Sequence, residues 1–403
     1  MNKENKIKPE LASGFRDLSG SLLATEKRLI KVIENNYLKN GYQEISQPSL
    51  EIASQIGSFL ADDESNNMSD VFLFETKKES LMLRYDLTSQ MTRMVASNYR
   101  DLPNIFKNYR LGNVWRQDKP SPGRQREFFQ ADFDVLGPSN EAQTDSEICN
   151  IIIETLIQSG LEKNQFSVNI TNLKIIQGLI IDILKISDPK KIQQISKSID
   201  KKSRLGMAGV KDLLGKGRKD DSGAWTSGCD LSNNQIDEIM NFLKIKDLKD
   251  LKYLKNKLSI EGIDETEKLL EQASYSDYSD QIELSLEIQR GLSYYSSYAV
   301  ETYLKNVEIK NDNGKKIDIS GMSVASGGRY KNLTSRFGID IEGSGASIGV
   351  TRLSYFLNQI ENKSLIETTT PVVICVLEDK FYKEYYQMNF LISLTKFSFV
   401  VEN

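Results

Sequence analysis

No histidine occurs in the 403 residues of this chain. The absence excludes nucleophile systems of the Ser-His-Asp or Cys-His kind in their usual form. It equally excludes imidazole metal ligation and a histidine pH switch. Cysteine is scarce: Cys149, Cys229 and Cys375 lie far apart and form no CxxC pair. A zinc ribbon, a thioredoxin-type motif and a disulfide framework are therefore not expected, and the setting reads as reducing. The first six residues, Met1 to Lys6, are polar and carry no apolar signal core. No run approaches the roughly 20 apolar residues that span a bilayer, so the expectation is a cytoplasmic protein without a membrane segment. Charge of one sign is also lacking. Lys and Arg number 52 against 56 Asp and Glu, a formal net charge of −4. A polyanion would have to be held by a local basic patch.

The length suggests two or three domains. Residues 21–39 read as an amphipathic helix, with Leu22, Leu29, Ile33 and Tyr37 at helical spacing. Gly41 ends it, and Pro48 follows in an extended stretch. Residues 80–85 read as a strand and 86–98 as a helix. Residues 105–116 and 127–136 are strand-like, and the segment 117–126 between them holds two prolines and a glycine, the composition of a long hairpin loop. From 186 to 275 Lys and Asp become frequent and the periodicity turns helical, which predicts an inserted helical domain. Leu248, Leu251, Leu254 and Leu258 form one apolar stripe in it, and its lysines suit either a solvated helix face or a contact with RNA. Strand patterns return at 282–288, 294–304 and 317–326. Residues 345–360 read as a Gly-rich strand entering a helix, and 371–377 as a buried strand followed by a short helix.

Side chains alternate along a strand. Arg126, Phe128, Gln130, Asp132 and Asp134 thus share one face, and Phe129, Ala131, Phe133 and Val135 the other. Arg110, Gly112, Val114 and Arg116 share a face of the preceding strand. If the two strands pair, one surface carries cations at its loop end and anions further along. Such a surface suits a ligand with a phosphate at one end and an ammonium at the other, and it equally suits the solvated face of an antiparallel sheet. Arg290 follows a buried strand, in Arg290-Gly291-Leu292-Ser293-Tyr294-Tyr295, and needs a partner there. Ser326-Gly327-Gly328-Arg329-Tyr330 reads as a Gly-Gly turn. Gly345-Ala346-Ser347-Ile348-Gly349-Val350-Thr351-Arg352-Leu353 is a small-residue strand that lets a flat ligand approach the backbone or packs as a tight corner.

Taken together these segments resemble the histidyl-tRNA synthetase family of class II aminoacyl-tRNA synthetases, over residues 11–360. The hairpin from Val114 to Gln130 resembles motif 2, the stretch 345–353 motif 3, and the helix-to-Pro48 unit motif 1. Residues 290–295 and 327–330 resemble the two histidine-specific stretches, and 217–223 the branch found in alphaproteobacteria. The resemblance implies an α+β fold, an antiparallel sheet flanked by helices. It implies domains at 1–185 and 276–365 (two parts of a catalytic core), 186–275 (helical insertion) and 371–403. It also implies ATP with Mg²⁺ carried by the phosphates, L-histidine and tRNA(His) as partners, and a homodimer. By the same resemblance Arg116 and Arg290 are catalytic, and Arg116, Asp118, Arg124, Phe128 and Arg352 bind ATP. Histidine falls to Asp86, Leu87, Thr88, Arg116, Gln130, Asp134, Arg290, Tyr294, Tyr295 and Tyr330.

The sequence departs from the family pattern at Ser293, where an acidic residue is usual, and at Asp118, where Glu is usual. Residues 371–403 match only the first strand, the first helix and a fragment of the next strand of an anticodon-binding domain, and are expected to be a truncated remnant of it that exposes apolar surface. A shortened C-terminal part also fits a second reading, the non-catalytic regulatory subunit of ATP phosphoribosyltransferase. A generic RNA-binding module fits poorly, given the negative net charge and the lack of an aromatic platform.

Overall fold

The computed structural model describes residues 8–56, 71–121, 123–219, 223–289, 295–310, 316–331, 333–360, 372–375, 377–393 and 399–402. Its first helix, α1 (Gly20–Lys39), buries the predicted stripe Leu22, Leu29, Ile33 and Tyr37. The chain turns out of it at Gly41, whose φ of 80° favours a residue without Cβ. Then come β1 (Gln43–Glu44), β2 (Leu50–Ile52), α2 (Ala53–Ile56), β3 (Leu73–Glu75) and β4 (Ser80–Leu83). β2, β4 and β3 form a small antiparallel sheet. The next helix starts later than expected, as α3 (Thr88–Asn98). Asp86 stays outside it and accepts from the Ser89 N–H at 2.8 Å, serving an otherwise unpaired first-turn donor.

β5 (Phe106–Trp115) and β6 (Glu127–Leu136) form the predicted hairpin. α4 (Glu141–Gln158) follows, capped by Asn140, which accepts from Gln143 N–H at 3.1 Å. After β7 (Phe166–Asn172) the chain runs through α5 (Leu173–Asp182), α6 (Pro189–Asp200), α7 (Lys202–Leu214), β8 (Gly217–Lys219), β9 (Trp225–Ser227), α8 (Asn233–Phe242) and α9 (Lys257–Ala273). It returns as β10 (Ile282–Leu284), β11 (Tyr298–Leu304), β12 (Glu308–Lys310), β13 (Lys316–Asp318), β14 (Ser323–Tyr330), β15 (Gly343–Gly349) and α10 (Val350–Ile360).

Eight strands join in the order β1-β5-β6-β15-β14-β11-β7-β10. Pairing is antiparallel throughout the interior and parallel only at the two edges. One face is covered by α1, α4 and α10. There Ile33, Tyr37, Ile148, Ile152, Leu353 and Phe356 pack onto Tyr109, Phe133, Val300 and Ile348, each full burial contributing about 1.5–3 kcal/mol. Asn36 ties α1 to α4 by donating to the Ile151 carbonyl and to Thr155 Oγ1 at 2.7 Å. This is the expected α+β arrangement. A second apolar cluster joins α5 to α9 through Ile176, Leu179, Ile199, Leu214, Ile239 and Phe242. At the C-terminal end β16 (Val372–Cys375) pairs in parallel with β17 (Phe399–Glu402), with α11 (Tyr382–Ser393) between them and Tyr382 and Tyr386 exposed. No helix among the described residues is long and apolar enough to cross a membrane.

Four expectations are corrected. Residues 326–330 are not a turn: Gly327 and Gly328 lie inside β14, because a Cβ at 327 would fall 2.2 Å from the Gly345 carbonyl of the neighbouring strand. The leucine stripe is divided: Leu248 and Leu251 sit in a 3₁₀ turn and Leu258 at the start of α9. The strand expected over 282–288 ends at Leu284, and the one over 317–326 is two strands. Finally, the cations do not all collect at the loop end of the hairpin, since Arg110 lies opposite Asp132.

Arg329 points to the helix-covered face. It is 2% exposed and forks onto Asp145 of α4 at 2.8 and 3.2 Å. Ser344 also donates to Asp145, at 2.7 Å. Replacing Asp145 by Ala would leave a buried guanidinium without its close carboxylate, holding only the Glu141 carbonyl at 3.1 Å and the Glu141 carboxylate at 4.0 Å. The expected loss is about 3–5 kcal/mol in urea unfolding, and a loss under about 1 kcal/mol would contradict this reading of the pair.

Candidate active site

The face of the main sheet opposite α1, α4 and α10 carries a polar row. Register aligns Arg110 of β5 with Asp132 of β6, Ser347 of β15, Ser326 of β14 and Glu301 of β11, all pointing the same way. Arg110 is 1% exposed. It donates through Nη1 to Asn108 and through Nη2 to Asp134 Oδ2 at 2.5 Å, and Asp132 Oδ2 lies 3.8 Å from the same nitrogen. Tyr330 Oη donates to Asp134 Oδ1 at 2.6 Å. Thr88 Oγ1 donates to Asp132 Oδ2 at 3.3 Å, and Gln130 Nε2 to Ser347 Oγ at 2.7 Å. Further along, Tyr303 donates to the buried Glu301 at 2.7 Å.

Burial governs the titration of this cluster. It pushes the Asp132 carboxyl up to about 6, against the opposing pull of Arg110 and a hydrogen bond from Ser347, with Asp134 and Asp86 adding to the rise. Burial and the carboxylates of Asp134, Asp132 and Asp86 also drive Tyr295 well above the ordinary phenol range, so it stays protonated. Missing side chains make the room. A Cβ on Gly345 would strike Asp134 Oδ1 at 2.1 Å, and one on Gly328 would meet the Tyr295 ring at 2.8 Å. On β5, a Cβ on Gly112 would lie 2.2 Å from Arg84 Nη2. Arg84 is itself held by the carbonyls of Asn113 and Gln47 at 2.6 and 2.9 Å.

The loop end of the hairpin is different. Arg116 donates through Nε to the Tyr85 carbonyl at 3.1 Å. Its guanidinium lies over the Tyr85 ring at 4.3 Å and beside the Phe128 ring at 5.2 Å, which fixes a planar cation in one orientation. In the loop, Arg124 pairs with Asp118 at 2.7 Å, and Ser121 and Arg124 exchange backbone hydrogen bonds. Arg126 braces the loop through the carbonyls of Asp118 and Ser13. Arg352 reaches the same loop from α10, donating to the Gly123 and Ser323 carbonyls at 3.4 and 3.0 Å. Thr351 locks α10 in place: it donates to Glu26 of α1 at 2.8 Å and accepts from the Phe129 N–H at 2.9 Å.

The structure therefore brings together Asp86, Thr88, Gln130, Asp134, Tyr295 and Tyr330 around one polar centre. Arg116 and Phe128 lie together at the loop end, and Asp118, Arg124 and Arg352 at the loop itself. The Leu87 side chain is buried. Arg290 and Tyr294 lie outside the described residues. Sequence reasoning did not single out Arg110, Ser347, Glu301 or Arg84 as site residues. Arg110 was within reach, because strand alternation already placed it on one face with Arg116; Glu301 and Ser347 needed the strand order.

Three comparisons bear on this geometry. A sequence model described as histidyl-tRNA synthetase matches residues 14–353. A histidine–tRNA ligase of Pelagibacter ubique is 50% identical over 392 residues, covering 96% of this chain and 83% of that protein. One from Roseobacter denitrificans is 34% identical, covering 96% and 80%. Among solved structures, the histidyl-tRNA synthetase of Nostoc sp. PCC 7120 superposes with a TM-score of 0.75 at 24% identity, covering 99% of this chain and 86% of the other. An ATP phosphoribosyltransferase regulatory subunit/histidyl-tRNA synthetase from Bacillus halodurans gives 0.77 at 20%, covering 99% and 93%.

The Asp132 titration has a measurable sign. Between pH 4 and about 6 the unfolded chain has released this proton while the folded chain keeps it, so its contribution to stability is lost as pH rises across that window. Asp132→Asn is expected to gain on the wild type by about 2–3 kcal/mol from pH 4 to 7, read by urea unfolding at each pH. A difference that does not change with pH would contradict the burial argument.

Proposed function

The chain belongs to the histidyl-tRNA synthetase family, and on that premise we propose how its residues divide the work. The reaction is that of a histidine–tRNA ligase. The histidine carboxylate attacks the ATP α-phosphate, the bond to the departing pyrophosphate breaks, and the histidyl group then passes from the adenylate to tRNA(His) with release of AMP. No histidine side chain is needed, because charge stabilisation rather than proton abstraction lowers the barrier.

One observation carries the assignment. Arg116, held flat between Tyr85 and Phe128, stands at the loop end of the strand face that presents Gln130, Asp132 and Asp134. A fixed guanidinium at one end suits the α-phosphate and the attacking carboxylate, and acceptors at the other suit an ammonium. Asp86, Thr88, Gln130 and Asp134 are assigned to the amino acid's ammonium side, and Tyr295, Tyr330 and Tyr294 to its imidazole. Phe128 and Arg352 flank the adenine, with Arg352 and Arg124 reaching the phosphates. Asp118 is assigned to the adenine amino group, a role that requires it to share or leave Arg124. Arg290 joins Arg116 on the α-phosphate.

Among the described residues no group of three or more Cys, Asp or Glu is arranged to hold a metal ion by itself. Mg²⁺ is assigned to the ATP phosphates, where it would neutralise charge and fix their conformation. A cytoplasmic setting fits the buried free thiols Cys149 and Cys229. A two-fold dimer is assigned from the motif 1 unit, and exposed apolar side chains nearby support it: Leu38 on α1, Leu50 on β2, and Leu73 and Phe74 on β3. The regulatory-subunit reading draws no support from the curated relatives at 50% and 34% identity, which are ligases.

ATP–pyrophosphate exchange tests the reading. Exchange is expected with histidine and with no other amino acid. Arg116→Ala and Arg290→Ala are expected to lower kcat by about 100-fold or more, while histidine affinity in Arg290→Ala changes less. Well-folded protein without histidine-dependent exchange would overturn the assignment.

A further inference from the structure

We propose that Glu26 and Thr351 are positioning residues for the nucleotide: together they set the spacing between Phe128 and Arg352, the two side chains assigned to flank the adenine. The inference rests on the ligase reading and goes beyond it, because α1 carries none of the residues assigned to ATP.

One hydroxyl joins the two walls. β15 pairs with β6 as far as Gly349, opposite Gln130. The Phe129 N–H lies one residue beyond that last pair, where the neighbouring strand has already turned into α10. Thr351 takes the place of the missing strand: its Oγ1 accepts from the Phe129 N–H at 2.9 Å. Phe129 follows Phe128 and Thr351 precedes Arg352, so this one contact fixes the backbone on both sides of the adenine. A hydroxyl carries a single proton. Thr351 gives it to Glu26 Oε2 at 2.8 Å, which leaves the lone pairs turned to Phe129. Glu26 thereby determines which way the hydroxyl points. Arg352 in turn reaches the Gly123 carbonyl at 3.4 Å, which carries the relay into the hairpin loop.

Glu26 is a poor choice for packing alone. It is 7% exposed, and a carboxylate so enclosed is costly unless it is hydrogen-bonded. Its donors are hydroxyls: Thr351, and Ser354 at 3.5 Å one turn further along α10. Glu26, Thr351 and Ser354 line a cavity of about 250 Å³ whose wall also includes Phe128 and Gly123. The relay therefore borders the loop and the adenine wall. A shortened side chain at Glu26 enlarges a cavity that already exists, and its loss is expected to disturb the nucleotide site more than the fold.

ATP–pyrophosphate exchange with the full chain separates positioning from scaffolding, because it gives KM for ATP and KM for histidine on one protein. Glu26→Ala is expected to raise KM for ATP by about tenfold and to leave KM for histidine within about twofold. Glu26→Gln keeps an acceptor for the Thr351 proton and is expected to stay within about threefold of wild type. Thr351→Val removes the hydroxyl at nearly constant volume. It is expected to match Glu26→Ala, and it carries the test should that variant fail to fold. Both side chains act through one contact, so the double variant is expected to exceed the single ones by no more than about twofold. The proposal is overturned by KM for ATP and KM for histidine rising together, or by an unchanged KM for ATP. It is equally overturned if Glu26→Gln is as damaging as Glu26→Ala, or if the effects multiply in the double variant. Each of these results leaves histidine-dependent exchange in the wild type intact, so failure of this inference is distinguishable from failure of the ligase reading.

Discussion

A single buried guanidinium organises the site. Arg110 has almost no contact with solvent, and its charge is shared by two carboxylates one strand away. A buried charge is tolerated only with close partners, so β5 and β6 must keep one register. A slip of β5 by one residue would turn Arg110 into the helix-packed face, and a slip of β6 would turn Phe133 out of it. The hydrophobic pattern of β6 and the ionic pattern of the site therefore enforce the same alignment. Tyr37, Tyr109 and Phe133 hold it from one side, Arg110 and the aspartates from the other.

The glycines of β14 and β15 follow from the same constraint. The Asp134 carboxylate occupies the space above Gly345 and the Tyr295 ring that above Gly328. Gly345 is small because a carboxylate oxygen fills the place of its Cβ, and Gly328 because the Tyr298 carbonyl and the Tyr295 ring carbons fill its own. Only Gly349, with no atom nearer than 3.8 Å, leaves open space towards Arg352. Small residues in this sheet thus make room for the protein's own atoms first and leave open space at the end where α10 begins.

Much of this was legible in the sequence. The period-two alternation of 127–136 separated core from site face, and the two prolines and glycine of 117–126 marked the hairpin loop. Helical spacing gave α1 almost to the residue. What stayed hidden depended on contacts far apart in the chain. Arg329 stands next to the site residue Tyr330 in the sequence, yet the two point to opposite faces, and Arg329 forks onto Asp145, 184 residues away. The Gly-Gly pair read as a turn because local propensity cannot see a neighbouring backbone at 2.2 Å. Arg84 carried no local signal at all, and its role depends on Gly112 being open to receive it.

The account stands on a strand face that grips a small zwitterion at one end and its activated phosphate at the other. The most direct measurement is a crystal structure with a non-hydrolysable histidyl-adenylate analogue. The account requires the ammonium against Gln130 Oε1 and the carboxylates that flank it on this face, the ring between Tyr295 and Tyr330, and the phosphate mimic on Arg116. An analogue bound with its ammonium turned away from β6, or with Arg116 still stacked and out of reach of the phosphate mimic, would contradict it.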